Sequence, residues 1–370
     1  MRCTKAVINI DNFLHNLREI KKRSGGNRKV CIAVKADGYG HGALPLARAA
    51  LESSLADCLG VAAVSEAVSL REDGIKAGIF LFSLADTEEI RDFFDYDITP
   101  FTADIGYLTD IEKEAKKRNC VKTVHLKIDT GMKRIGCTVS EAPSIAEFIA
   151  ESKNLSLGGV CTHFPVSDSA DAEFTRHQIS VFRKAVGAIR EKGINPGIVH
   201  AANSGAILQH PDSLFDMVRP GIIIYGSYPD PETEKTIALK PVMSFESKVL
   251  FIKKIKKGER VSYGLTWEAK KDTCIATIPA GYADGYNRLL SNRGSVEIRG
   301  KLYPLAGRVC MDQFMVDAGS NCSLEKGEKA ILFGGGSAVS AESVAGLCGT
   351  IPYEIYCNIS RRVPRVLLQQ

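Results

Sequence analysis

Lys35 sits in the run Lys29-Val-Cys-Ile-Ala-Val-Lys-Ala-Asp-Gly-Tyr-Gly-His-Gly42, where a short apolar stretch delivers one ammonium beside Gly38, Gly40 and Gly42. A lysine at a strand tip next to a glycine-rich turn suits Schiff-base chemistry, because burial and nearby positive charge lower its pKa and free its lone pair. Further along, Arg134, His163, Ser204 and Arg219 each follow a short apolar run. A lysine, two arginines, a histidine and a hydroxyl converging on one face would suit an anionic aromatic cofactor. Asn203-Ser204 and Gly221-Ile222 add backbone N–H groups that can approach phosphate oxygens closely.

Convergence of residues so far apart requires a repeating scaffold. Apolar strand-like runs at 30–34, 59–63, 79–82, 97–99, 123–128, 157–162, 197–200 and 216–219 alternate with helical patterns. The helical segments are read from residue 43, at 65–71, 86–94, 104–118, 144–152 and 172–191, and after Ser204. Asp86 and Glu89 have capping-box spacing. With a glycine-containing return after 216–219 closing the last, eight consecutive units predict a (β/α)8 TIM-type barrel over 10–235, with reactive residues at the C-terminal ends of its strands. A doubly wound sheet is the alternative, but it needs no such count.

After about residue 235 the pattern changes to short alternating strands separated by glycine turns, at 243–251, 273–278, 295–298, 305–310, 314–316 and 330–333. This predicts a mostly-β C-terminal domain over 236–370, closed by a helix-like segment at 341–347 and the stretch 353–360. Residues 1–9 have strand character and are candidates to join that domain.

Composition narrows the partners. The net charge of +5 is spread over 48 basic and 43 acidic residues, which argues against nucleic acid. No run approaches the ~20 apolar residues of a membrane span, and the N-terminus alternates instead of showing a signal-peptide pattern. The eleven cysteines are scattered without a Cys-x-x-Cys pair, and Cys31 and Cys161 lie in strand-like runs. That usage fits buried thiols in a reducing compartment and no metal site. The expectation is a soluble cytoplasmic protein without membrane or nucleic-acid partners.

Nine motifs in register over nearly the whole chain resemble those of bacterial alanine racemases. They are Ala33-Val-Lys-Ala-Asp-Gly-Tyr-Gly-His-Gly42, His125-Leu-Lys-Ile-Asp-Thr-Gly-Met132, Thr162-His-Phe164, Ala202-Asn-Ser204, Val218-Arg-Pro-Gly221, Val261-Ser-Tyr-Gly264, Gly281-Tyr-Ala-Asp-Gly285, Gly307-Arg-Val-Cys-Met-Asp312 and Ile351-Pro-Tyr353. The resemblance implies a pyridoxal 5′-phosphate (PLP) barrel, a β domain and a head-to-tail homodimer with shared sites. It implies that Lys35 carries the cofactor and that Tyr39, Ser204, Gly221, Ile222 and Tyr353 hold its phosphate. Arg134 would orient the amino-acid carboxylate with the backbone N–H of Met311 from a second copy, which would also supply Tyr263 as the second base. His163 and Arg219 would form a hydrogen-bonded network under the ring, Arg219 being able only to donate to the ring nitrogen. Arg288 would support Tyr263, and Asp168, Tyr282, Arg308 and Asp312 would line the substrate approach. Lys127 would carry a carbamate that steadies Arg134. The implied activity is interconversion of L- and D-alanine for peptidoglycan. A racemase of serine or of broader range, or a PLP-dependent amino-acid decarboxylase, remains open.

Overall fold

The computed structural model describes residues 3–368, so positions 1, 2, 369 and 370 of the spans above lie outside the described residues. Strand β1 (Lys5–Asn9) precedes eight parallel strands: β2 (Lys29–Ala33), β3 (Cys58–Val61), β4 (Gly78–Leu81), β5 (Ile98–Thr102), β6 (Lys122–Lys127), β7 (Leu155–Cys161), β8 (Ile198–His200) and β9 (Met217–Val218). These eight close into a barrel in chain order, β9 returning to pair with β2. Most of their residues are buried, as expected of strands covered by helices outside and packed side chains within. Cys31, Cys58, Phe80, Phe101, Cys161 and Met217 form a cluster apart from the main core, so the barrel interior is filled.

The second unit contains β10 (Met243–Lys248), β11 (Phe251–Ile255), β12 (Arg260–Val261), β13 (Trp267–Glu268), β14 (Thr273–Ile278), β15 (Ser295–Ile298), β16 (Lys301–Pro304), β17 (Phe314–Gly319), β18 (Lys329–Gly334) and β19 (Arg365–Leu368). They form sheets ordered β16-β15-β18-β10-β1-β19, β11-β14-β17 and β12-β13. β1 pairs antiparallel with β10 and parallel with β19, so residues 5–9 lie in the second unit's main sheet before the chain enters the barrel.

Three local expectations change. The single helix expected over 86–94 is a 3-10 turn, Thr87–Glu89, and a short helix, Asp92–Asp95. Here Asp86 and Glu89 satisfy each other's end of one turn. The strand expected over 243–251 divides between two sheets, because Val249 N–H donates to Glu328 O beside β18 and Leu250 N–H donates to Thr277 O on β14. Residues 305–310 form no strand beyond a Leu305–Val316 bridge. Gly307 turns there at φ +84, and a Cβ would stand 2.6 Å from the Ser262 Cβ.

Candidate active site

Lys35 leaves β2 at the start of a left-handed turn. Ala36, Asp37 and Tyr39 have φ of 53°, 52° and 53°, with Gly38 and Gly40 also positive. Left-handed backbone costs a non-glycine residue about 1–2 kcal/mol, so the turn needs external ties. Ala36 N–H donates to Glu66 Oε1 at 2.5 Å and Ala43 N–H to Asp37 Oδ1 at 2.8 Å. Arg365 Nε donates to Gly40 O at 2.9 Å. At Gly40 a Cβ would stand 2.3 Å from Tyr356 O, so the second unit packs directly onto the lysine turn.

Above the barrel lies a cavity of about 630 Å³ lined by Lys35, Tyr39, Lys127, Arg134, His163, Ser204, Arg219, Gly221 and Tyr353, all singled out from the sequence. Phe82, Phe101, Glu66, Asn203 and Cys357 line it too. Lys35 Nζ makes no hydrogen bond or ion pair among the described residues. Burial first, then Arg134, lowers its pKa from the ordinary value, with Glu66 opposing. Lys127 is buried, its Nζ 5.9 Å from the Phe101 ring centroid, with no acidic partner among the described residues. Burial pulls its pKa down as well. His163 is half-buried, and burial followed by Arg219 holds its pKa well below the usual value.

Part of the cavity wall is a cradle that a side chain would fill. A Cβ at Gly221 would stand 2.8 Å from Tyr39 Oη and 3.6 Å from Ser204 Oγ, and Gly221 N–H donates to that Oγ at 2.9 Å. Tyr39 Oη has no hydrogen-bond partner among the described residues. Ile222, which follows the cradle, is fully buried and opens a 3-10 turn. Hydroxyls, a glycine amide, a lysine and arginines fit an anionic, phosphate-bearing aldehyde cofactor.

Arg219 departs from the expected pairing. Its Nη1 donates to His200 Nδ1 at 2.7 Å, and Nη2 donates to Thr162 O at 2.7 Å and to Ala201 O at 2.9 Å. His163 lines the same cavity but makes no side-chain hydrogen bond to it, so His200 is the partner. His200 closes the run 197–200, and a histidine at a barrel-strand end was the available signal. Glu66 was also missed. Its carboxylate accepts from Ala62 and Ala63 at the start of its own helix and from the distant Ala36, a contact no local spacing announces.

The remaining candidates sit elsewhere. Tyr263 is 73% exposed, Met311 53% and Tyr282 42%, and none lines the cavity. Tyr263 follows Ser262, which holds φ +71 and donates to Arg308 O at 2.7 Å. The Arg308 guanidinium lies 3.0 Å from where a Gly264 Cβ would be. Tyr282 N–H donates to Cys310 O, and Asp312 pairs with Arg362 at 2.8 Å. These five residues thus form one surface of the second unit. Arg288 is exposed on a 3-10 turn. Asp168 is half-buried on the loop after β7, where burial raises its pKa; burial, then Tyr39 and Asp168, raise that of Tyr353.

A lysine-tipped β2 in a closed barrel, with a β unit packed over its mouth, defines a lysine-anchored cofactor enzyme of the barrel type. Residues 8–229 match the family description "Alanine racemase, N-terminal domain" and residues 242–367 "Alanine racemase, C-terminal domain". Over 100% of this chain and 99% of its own length, alanine racemase of Treponema denticola is 48% identical. A solved structure of alanine racemase from Clostridium difficile 630 superposes with TM-score 0.94 at 37% identity, covering 100% of this chain and 96% of that one. The alanine racemase of Bacillus anthracis, solved with bound L-Ala-P, gives 0.93 at 33% identity over 100% and 96%. The chain belongs to the alanine racemase family and is an enzyme of the PLP-dependent racemase class. Among the described residues no helix is long and apolar enough to cross a membrane, and no cluster of metal-binding side chains occurs.

Proposed function

We propose that this chain interconverts L- and D-alanine as a cytoplasmic homodimer with PLP at the barrel mouth, supplying D-alanine for peptidoglycan. In this reading residues 10–235 form the cofactor-binding unit. Residues 236–370, with 1–9, form the unit that lends side chains to a second copy. The observation that carries the proposal is Lys35, without a hydrogen-bond or ion-pair partner among the described residues and with lowered pKa, lining one cavity together with the Gly221 cradle. Bound PLP supplies an electron-withdrawing ring that acidifies the Cα–H of an attached amino acid.

The protein's part is binding, orientation and proton handling. Tyr39 Oη, Ser204 Oγ, Tyr353 and the Gly221 and Ile222 amides hold the phosphate. Arg219 has three of its five N–H groups committed to His200, Thr162 and Ala201. Its remaining donors would serve the ring nitrogen of the bound cofactor. Arg134, with the Met311 N–H of a second copy, fixes the substrate carboxylate. Lys35 Nζ exchanges the Cα proton on the D face, and Tyr263 Oη of the second copy exchanges it on the L face. Two groups on opposite faces invert the centre without turning the substrate over. Arg288 supports Tyr263, and His163 borders the ring. Asp168, Tyr282, Arg308 and Asp312 line the approach. A carbamate on Lys127 would replace an unpaired buried cation by an anion beside Arg134. Intact mass under bicarbonate is then expected to show one added carboxyl group, absent in Lys127→Ala.

Chiral chromatography after incubation with PLP and L-alanine, L-serine or L-lysine tests the activity. Fast conversion of alanine alone towards equal enantiomers is expected, with Tyr353 limiting side-chain size. Faster serine conversion would move the substrate, and carbon dioxide release without D-enantiomer would indicate a decarboxylase.

A further inference from the structure

Behind Arg219 the barrel interior holds two histidines whose geometry leaves a single protonation pattern. A guanidinium only donates, and a neutral imidazole carries one N–H and one lone pair. Arg219 Nη1 lies 2.7 Å from His200 Nδ1, so that nitrogen accepts and the His200 proton sits on Nε2. His200 Nε2 lies 2.9 Å from His125 Nδ1, which must therefore present a lone pair. The opposite order would make His200 accept at both nitrogens, which requires an imidazolate anion.

We infer that His125 is a positioning residue: it ends a one-way donor chain, Arg219 to His200 to His125, that fixes the His200 tautomer and holds the guanidinium at the cavity floor. The chain is a fixed support and not a proton relay, since it starts at a guanidinium, which donates hydrogen bonds but keeps its protons. Its part in the reaction rests on the racemase reading, whereas the donor chain does not.

The surroundings are shaped for this ring. A Cβ at Gly159 would stand 2.5 Å from His125 Cε1 and 2.6 Å from Nδ1, and one at Gly158 would stand 3.1 Å from Nε2. The β6–β7 register slips at this point, from Val124↔Leu157 to His125↔Gly159. A glycine doublet inside a strand thus accommodates the imidazole. Phe101 lies nearly parallel to His125, at 7° with centroids 6.0 Å apart, and Phe80 approaches to 4.7 Å. Burial and then Arg219 push the His125 pKa down to about 3, and the same causes hold His200 well below its usual value. Lys127 adds to the positive charge around His200.

The test is 15N NMR of the PLP-loaded protein labelled at histidine, combined with two variants. Both rings are expected as neutral Nε2–H tautomers. A Nδ1–H tautomer or a charged ring at His125 would overturn the inference. His125→Phe removes the acceptor for His200 Nε2–H, and about a tenfold fall in kcat at unchanged KM is expected, with a shifted absorbance of bound PLP. His125→Asn, whose Oδ1 replaces the lone pair, should recover most of both. Unchanged kcat and absorbance in His125→Phe would contradict the assignment. If that variant does not fold, the wild-type tautomers and His125→Asn still decide. Absence of racemisation in the wild type would sink the proposed function while the spectra judged the donor chain separately.

Discussion

The barrel mouth and the exposed face around Tyr263 carry candidate residues in opposite physical states. At the barrel mouth, Lys127 and Arg219 are buried, Arg219 and Ser204 are held by hydrogen bonds, and Gly221 leaves no room for a side chain. On the second unit, Tyr263 and Met311 are more than half exposed. A side chain meant for acid–base chemistry gains little when left in water, because the low-dielectric surroundings that tune it are missing. The contrast fits the proposed reading, in which half a site is completed on the chain and half is presented to another copy. Such reciprocal use of two patches closes naturally in a two-fold dimer.

Perturbations should therefore behave differently on the two faces. The largest effect is expected for Lys35→Ala, which should abolish racemisation in both directions and eliminate borohydride-fixed PLP from the intact mass. Retention of either would remove Lys35 from its place. Tyr263→Phe should slow exchange of the L-alanine Cα proton by about 10²–10⁴-fold and spare D-alanine exchange, read by single-turnover deuterium incorporation. Equal losses would end the two-face assignment. Gly221→Ala places a methyl 2.8 Å from Tyr39 Oη, and PLP affinity should weaken by about ten- to a hundredfold, measured by equilibrium titration. Unchanged affinity would mean that the cradle is not the phosphate site.

Acid should also separate the two regions. All seven histidines lie between residues 15 and 210, none in the second unit. His41, His125 and His200 are held neutral by burial, His41 and His125 with pKa near 3. The unfolded chain takes up these protons first, near pH 6.5. Stability is therefore full above that value and falls below it, by about 1.4 kcal/mol per pH unit for each such ring. Hydrogen exchange near pH 5 should loosen the barrel before the β domain. Simultaneous loosening would show that the histidines do not set acid stability.

The barrel was legible because eight apolar runs and their intervening helices repeat locally, and strand-end position then selected most of the cavity. Glycine marked what side-chain chemistry did not. Gly158-Gly159 inside a strand is a sequence-visible sign of close approach, and its occupant, His125, lies within a quoted motif. The pairing of Arg219 with His200 and not His163 was not legible, since several strand-end side chains share one mouth and only three-dimensional distance chooses among them. The switch between sheets at Val249 and Leu250 was equally hidden, because alternation continues across it while the hydrogen-bond partners change.

The central claim is that one reaction centre takes Lys35 from one chain and Tyr263 from another. Lys35→Ala and Tyr263→Phe proteins, each inactive in converting L-alanine, can be unfolded together and refolded as a mixture with PLP. Random pairing puts half the dimers in the mixed class, each with one intact centre, so about a quarter of wild-type activity should return. Activity no higher than that of the separately refolded variants would place both groups in one chain and contradict the account.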